Sequence, residues 1–377
     1  MDFSYSEVQQ MLQDSVKKFV SKNYDFDTRS KIIESDSGYS EENWKLFAEL
    51  GWLTVPFSEE DGGLGGSAVD LMVMMEEFGK ANLVEPYLPS VVLCGCLISE
   101  LATGEVREQM LGKLVGGDLQ LALAASETGS RFNSSKVATT AKSNGNNIVI
   151  NGRKIAVLNG SNANELLVVA RESGGEVDAD GISVFLVNPD TSGVTVRPFT
   201  NIDGQKSSEI DFTDVTVSAS ARLGEQGNAL MAIEKVIDKA IIAVSAEAVG
   251  VLETLLQKTV EYSKTRKQFG TVIGTFQALQ HRMADMFIEC QLARSIVVMA
   301  AMKLDGSAGR TEKTKAVSAA KSRVGKAIRK VSQEAVQIHG GIGVTNELDV
   351  GHYFKRATAL EIMFGNTDYH IERFASL

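Results

Sequence analysis

One carboxylate, Glu247, stands inside the apolar run IIAVSAEAVGVLETL (residues 241–255). On a helix its neighbours three and four positions away are Ala243, Val244, Gly250 and Val251, so nothing on its own face can pair with it. A second group of residues has the makings of an anion site. In YSKTRKQFGTVIGTFQALQHRMADM (residues 262–286), Arg266, Gln268, Phe269 and Gly270 fall where a long helical pattern ends, and Phe276 and Gln277 follow a short loop. An arginine offers a forked, charge-assisted contact to phosphate, an aromatic offers a face for a flat ring, and a glycine lets the backbone come close. A basic last turn closed by a glycine stop gives the same string with no ligand at all. In AVQIHGGIGVTNE (residues 335–347) three glycines after a helix can turn backbone N–H groups toward an anion, or simply end the helix. This is no dinucleotide fingerprint, because no strand precedes it and no strand–helix–strand unit surrounds it. A third group, ALAASETGS followed by NGRKIAVLNG, holds Ser126 and Ser130 as exposed-looking hydroxyls and two Asn-Gly pairs that mark tight turns.

The elements that position these groups follow from hydrophobic period. Residues 1–117 read as helices, the first opened by Ser6 with Gln9 three residues on, the signature of a capping box. A glycine-rich loop, PFSEEDGGLGG (residues 56–66), interrupts them. Over residues 118–226 the pattern changes to seven short segments rich in β-branched residues, separated by turn formers such as SNGNN and NPDTSG. From residue 227 the helical period returns in three long segments, near 229–264, 275–303 and 311–338. The expected fold is therefore an α+β multidomain chain. It has an N-terminal helical domain (1–117), a middle antiparallel β-sandwich or barrel domain (118–226) and a C-terminal four-helix-bundle-like domain (227–377).

Composition narrows the function. The chain has 377 residues and is 44% hydrophobic and 23% charged, long enough for more than one core. A formal net charge of −10 argues against a nucleic-acid partner, while leaving local basic clusters free to meet an anionic ligand. Three cysteines and four scattered histidines make neither a disulfide framework nor a metal-ligand set, and the Cys-x-Cys of VVLCGCLI reads as packing. No uninterrupted apolar run reaches membrane-spanning length and MDFSYSEVQQMLQ lacks the make-up of a signal peptide, so no membrane insertion and cytoplasmic residence are expected.

Taken together, RKQFG…FQ…HRMADM, QIHGGIGVTNE, PFSEEDGGLGG, SE…GS, NGRK…NG and DGQKSSEIDFTDVTV, in this order and within the α–β–α plan, resemble the acyl-CoA dehydrogenase family. The resemblance spans essentially the whole chain, and details look like the small-subunit type of the pimeloyl-CoA dehydrogenases. It implies FAD as cofactor and oxidation of an acyl-CoA thioester to the trans-2-enoyl-CoA, in fatty or dicarboxylic acid degradation. An electron-transferring flavoprotein is the implied acceptor, and a homo- or hetero-oligomer, dimer or tetramer, the implied assembly. By position, Arg266, Phe269 and Gln277 match residues that hold the pyrophosphate and adenosine of a neighbouring subunit's FAD, with Gln337 and Gly341 completing that contact. Ser126 matches a residue near the flavin ring, and Ser130 one near the acyl-CoA.

The resemblance also exposes departures. The α-proton must be taken by a carboxylate, which apolar burial makes more basic. One place where the family carries that Glu falls on Asn366, with Gly365 before it; another falls on Ala240. Glu247, two turns beyond Ala240 on the same face, is then the expected catalytic base. The alternative is a structural ion pair with an arginine from elsewhere in the chain. Ala156 and Leu158 stand where Trp and Thr are usual against the flavin, and Ile241 where an Arg is usual. These losses are compatible with a remodelled pocket, with a non-catalytic subunit that completes the FAD/CoA site of a larger chain, or with flavin chemistry on a non-CoA substrate.

Overall fold

A computed structural model describes residues 5–377. Residues 1–4, where the expected N-terminal domain begins, lie outside the described residues. The helices before the sheet are α1 (Glu7–Asn23), α2 (Phe26–Glu34), α3 (Glu41–Glu49), α4 (Ala68–Ala81), α5 (Cys96–Leu101) and α6 (Gly104–Val115). The strands of the middle region are β1 (Leu121–Ala124), β2 (Thr140–Asn144), β3 (Asn147–Leu158), β4 (Glu165–Arg171), β5 (Ile182–Val187), β6 (Val194–Thr200), β7 (Lys206–Ser218) and β8 (Arg222–Leu223). Then come α7 (Leu230–Thr265), a short hairpin of β9 (Lys267–Gln268) and β10 (Thr271–Val272), α8 (Gln277–Asp305), α9 (Arg310–His339), α10 (Asp349–Ile362) and α11 (Thr367–Ser376). The α–β–α order and all seven expected strands are present. Helix α2 has no counterpart in the apolar pattern; Asp25 starts it by accepting the Thr28 N–H at 2.8 Å. The capping box of α1 forms as expected, with Ser6 Oγ accepting from Gln9 N and Gln9 Oε1 from Ser6 N.

Contacts divide the chain into two compact units, the first with residues up to 31, 67–83 and 241–377, the second with 32–66 and 84–240. In the second unit the strands form one sheet in the order β6-β7-β3-β2-β4-β5-β8, with β1 added parallel to β4. The expectation of a purely antiparallel layer is corrected there. The chain passes from β1 to β4 through an intervening hairpin, so the returning strand runs in the same direction. The first Asn-Gly pair is corrected too. Asn151–Gly152 lies inside the 12-residue β3 rather than at a turn. The register slips between Ile150 and Gly152, and Asn151 pins the slip by exchanging hydrogen bonds with Asp214. Gly152 is needed because a Cβ there would stand 2.4 Å from Thr139 Oγ1. Arg171, buried at the end of β4, donates to the carbonyls of Ser135, Val137, Ser173, Glu176, Asp178 and Asp180 and so ties two loops to the sheet.

In the first unit the central feature is the part of α7 from residue 241 onward, buried without interruption over residues 241–252. It contains an 18-residue window of mean hydropathy 1.5, enough by length and composition to cross a membrane; the charged residues within the helix hide this from a search for unbroken apolar runs. That window is 78% buried inside the protein, so its apolar faces are met by packing. Helices α4 and α7 cross at backbone contact: a Cβ on Gly79 would lie 2.0 Å from the Glu247 carbonyl oxygen, and one on Gly250 1.9 Å from that of Glu76. Beside the crossing, Arg294 of α8 pairs with Glu76 and Glu253, and Lys80 with Glu77 at 2.8 Å. Gly250→Ala should therefore destabilise the protein by roughly 2 kcal/mol or more, despite the better helix propensity of alanine. Urea unfolding of the two proteins measures this; an unchanged midpoint would mean the helices can part without cost.

Candidate functional site

Glu247 has a partner, supplied by α10. Arg356 Nε meets Glu247 Oε1 at 2.6 Å and Nη2 meets Oε2 at 2.9 Å, with the two side chains 3% and 4% exposed. Both carboxylate oxygens are taken by one guanidinium fork, the geometry of a strong bidentate pair. The ion pair with an arginine from elsewhere in the chain is therefore present, and Glu247 does not stand bare in an apolar pocket.

The two other base positions are closed for identifiable reasons. Ala240 is fully buried. Asn366 is the N-cap of α11, its side-chain oxygen accepting the Tyr369 N–H at 3.0 Å. Gly365, before it, has φ +118°, and a Cβ there would lie 2.4 Å from Tyr369 Cδ1 and 2.7 Å from His370 Nε2. The turn between α10 and α11 is thus built for glycine, and a carboxylate side chain at 365 would not fit without rearrangement. Asp368 is exposed in the first turn of α11.

The residues matched to cofactor contacts lie on exposed surface of the first unit. The β9–β10 hairpin turns on Phe269 (φ +55°) and Gly270 (φ +80°), and the Phe269 ring is 91% exposed. A bulky residue in the left-handed region is strained, and such strain gathers where a site needs it. Phe276, at the start of α8, sets its ring edge-on to Phe269 with centroids 6.2 Å apart. Arg266 is exposed just past the end of α7, and its guanidinium has no carboxylate partner among the described residues. Gln277 opens α8 and is exposed. The glycine segment is brought to the same end of the unit by Tyr262, which stacks on His339 at 4.4 Å one turn before Arg266. Gln337 and Gly341 flank that histidine; both are exposed, and the space beside Gly341 is open.

In the second unit Ser126 is exposed at the end of β1 and its hydroxyl makes no hydrogen bond among the described residues. Ser130 differs from its expected part. It is buried, and its Oγ donates to the Glu127 carbonyl at 2.9 Å and accepts the Glu127 N–H at 3.2 Å, so it closes its own turn instead of facing a ligand. Sequence reasoning missed the pair next to it. Lys154, with no exposed side-chain surface, reaches Glu127 Oε1 at 2.6 Å and the Ala125 carbonyl at 3.1 Å. Burial pushes the Lys154 ammonium down to about 8, partly countered by Glu127. For Glu127, burial acts upward, but Lys154 and the Thr139 and Ala138 N–H groups outweigh it and hold the carboxyl below its ordinary value. Only half a signal is present in the sequence: Lys154 is a charge within the strand pattern of β3, whereas Glu127 falls in the polar loop after β1 and looks like any exposed carboxylate.

Comparison with known proteins decides the family. Models of the acyl-CoA dehydrogenase N-terminal, middle and C-terminal domains match residues 6–118, 122–215 and 230–376. The chain belongs to the acyl-CoA dehydrogenase family. It is 31% identical to the probable acyl-CoA dehydrogenase YngJ of Bacillus subtilis (strain 168), over 98% of this chain and 97% of that one. The structure of butyryl-CoA dehydrogenase from Megasphaera elsdenii superposes with a TM-score of 0.90 at 28% identity, covering 100% of this chain and 99% of that one. The FAD complex of PigA does so with a TM-score of 0.91 at 27% identity, covering 100% and 98%. As an acyl-CoA dehydrogenase, the chain is an oxidoreductase of a flavin-dependent family whose cofactor is FAD. Arg266, with no carboxylate partner among the described residues, strained Phe269 and open Gly341 fit the phosphate-bearing part of such a group, and the Ser126 hydroxyl makes no hydrogen bond among the described residues.

Replacing Glu247 by Leu alone takes the carboxylate away from the buried Arg356 guanidinium, and should cost about 3–5 kcal/mol. Glu247→Leu combined with Arg356→Met should recover most of that loss. Equal destabilisation of the single and double variants in urea unfolding would contradict the ion pair.

Proposed function

We propose that this chain oxidises an acyl-CoA thioester to the trans-2-enoyl-CoA, with the adenosine end of FAD held by residues of a neighbouring subunit. The observation that carries this reading is the exposed Arg266, without a carboxylate partner among the described residues, beside a strained and exposed Phe269. A cationic fork beside an aromatic face, both open to solvent, suits a pyrophosphate with an attached base. When bound, FAD supplies the acceptor for the substrate's β-hydride. The chain's own part is to hold the ends of that group. Arg266 offers charge to the pyrophosphate, Phe269 and Gln277 border the adenosine, and Gln337 and Gly341 bring a side-chain amide and an open backbone from the end of α9. Ser126 offers its hydroxyl from the β domain. Exposed apolar residues of α8, namely Phe287, Ile288, Leu292 and Met299, support assembly as an oligomer, which a site shared between subunits requires. Electrons leave to an electron-transferring flavoprotein in this reading, and the cytoplasm is its setting.

A specific observation favours a second reading. Neither Gly365, Asn366 nor Ala240 can accept a proton, and Glu247 is engaged by Arg356. A chain so arranged also suits a subunit that lends Arg266 and Phe269 to the FAD of a larger partner chain. Two measurements separate the readings. The purified chain alone should carry a visible flavin band that bleaches on anaerobic addition of acyl-CoA; a colourless chain that takes up no FAD would favour the partner subunit. Arg266→Ala should lower FAD content several-fold at unchanged stability, and unchanged content would remove the pyrophosphate contact. In the Glu247→Leu, Arg356→Met double variant, lost turnover with flavin retained would identify Glu247 as the base. Retained turnover would place the proton acceptor on another residue.

A further inference from the structure

Lys154 and Glu127 sit at the meeting point of three segments of the β domain. Glu127 Oε1 receives Lys154 Nζ at 2.6 Å and Thr139 N at 3.0 Å, while Oε2 receives Ala138 N at 2.7 Å. Lys154 Nζ also reaches the Ala125 carbonyl at 3.1 Å, and Ile155 N donates to the Ser126 carbonyl at 2.9 Å. The end of β1, the approach to β2 and the middle of β3 are therefore held by one polar knot. Taking an ammonium wholly out of water is costly unless its partners are well placed, and an apolar pair of similar volume would often be no less stable. The arrangement is thus poorly accounted for by stability alone.

Its geometry suggests what it secures. Immediately beyond the knot, the chain exposes Ser126 on one segment and Ala156 on the other. Ala156 has φ +51°, and the β3–β7 register slips between Lys154 and Val157, so the backbone leaves regular pairing at the residue that faces outward. Two exposed points on separate segments, one of them strained, thus adjoin the same buried cation: Ser126 follows the Ala125 carbonyl that Lys154 contacts, and Ala156 is two residues from Lys154 itself.

We propose that Lys154 is a positioning residue for the flavin: through Glu127 and the Ala125 carbonyl it holds Ser126 and the Ala156 bulge as one rigid ledge against which the isoalloxazine ring rests. This rests on the reading that the chain binds FAD in its own β domain. Lys154 does not touch the reacting atoms; it acts through the backbone of residues 125–126 and 155–156.

The test compares wild type with Lys154→Arg, with Lys154→Met combined with Glu127→Leu, and with Arg266→Ala. Each is stripped of flavin and titrated with FAD, following flavin fluorescence, the visible spectrum and the thermal midpoint. The apolar double variant should keep a thermal midpoint close to wild type, yet bind FAD at least tenfold more weakly and show a shifted visible band. Lys154→Arg, which keeps the charge, should restore part of both. Arg266→Ala should weaken binding without moving the band, because it acts away from the ring. A double variant with wild-type affinity and spectrum would overturn the proposal. So would a double variant that fails to fold while Lys154→Arg, though folded, shows no change in affinity or spectrum. A wild-type chain that takes up no FAD would instead sink the underlying reading, and the proposal with it.

Discussion

The pair between Glu247 and Arg356 is the constraint around which the helical unit is arranged. Helix α7 runs through the interior with every residue from 240 to 252 buried, so a charge on it must be answered from another element. The answer comes from α10, 109 residues along the chain. Desolvation offsets much of the attraction in such a pair, so its chief effect is to fix one arrangement of α10 against α7 over others. The glycine crossing of α4 on α7 works in the same direction, since backbones touching at Gly79 and Gly250 leave no room for sliding. Once α10 is set, so is the turn that follows it, where Gly365 and the Asn366 cap shape the start of α11.

Other buried cations are handled in a common way. Arg171 is surrounded by backbone carbonyls, and Lys154 divides its ammonium between a carboxylate and a carbonyl. Lys321 donates to the carbonyls of Leu360 and Glu361, and burial pushes it down to about 7. Each cation satisfies acceptors that a helix end or an irregular loop would otherwise leave without donors. The positive charges of the interior thus organise the segments that regular hydrogen-bond ladders do not reach.

Residues that look most reactive in the sequence and residues open to a ligand are largely different sets. Glu247 and Ser130 are turned inward and bonded within the protein. Arg266, Phe269, Gln277, Gln337 and Gly341 are exposed, and Tyr262 on His339 gathers them at one end of the helical unit. An acyl-CoA dehydrogenase that shares its cofactor between chains needs such an outward-facing set, completed only on assembly.

What the sequence by itself determined is local or repetitive. The capping box at Ser6 and Gln9, the seven strand segments, the long helical periods and the glycine-marked end of the first long helix all involve neighbours within a few residues. There, propensity and hydrogen bonding act without the rest of the fold. Family motifs added expected positions for cofactor contacts, because they too are contiguous strings. The tertiary structure alone decided that Glu247 faces an arginine, that Gly365 has no room for a side chain and that Ser130 closes its own turn. It also decided that Asn151–Gly152 bends a strand instead of reversing it, and that Lys154 is buried against Glu127. Each of these depends on which atoms from distant segments fill the space beside a residue. That is settled by close packing and by the need to pair every buried charge, and neither leaves a periodic trace along the chain.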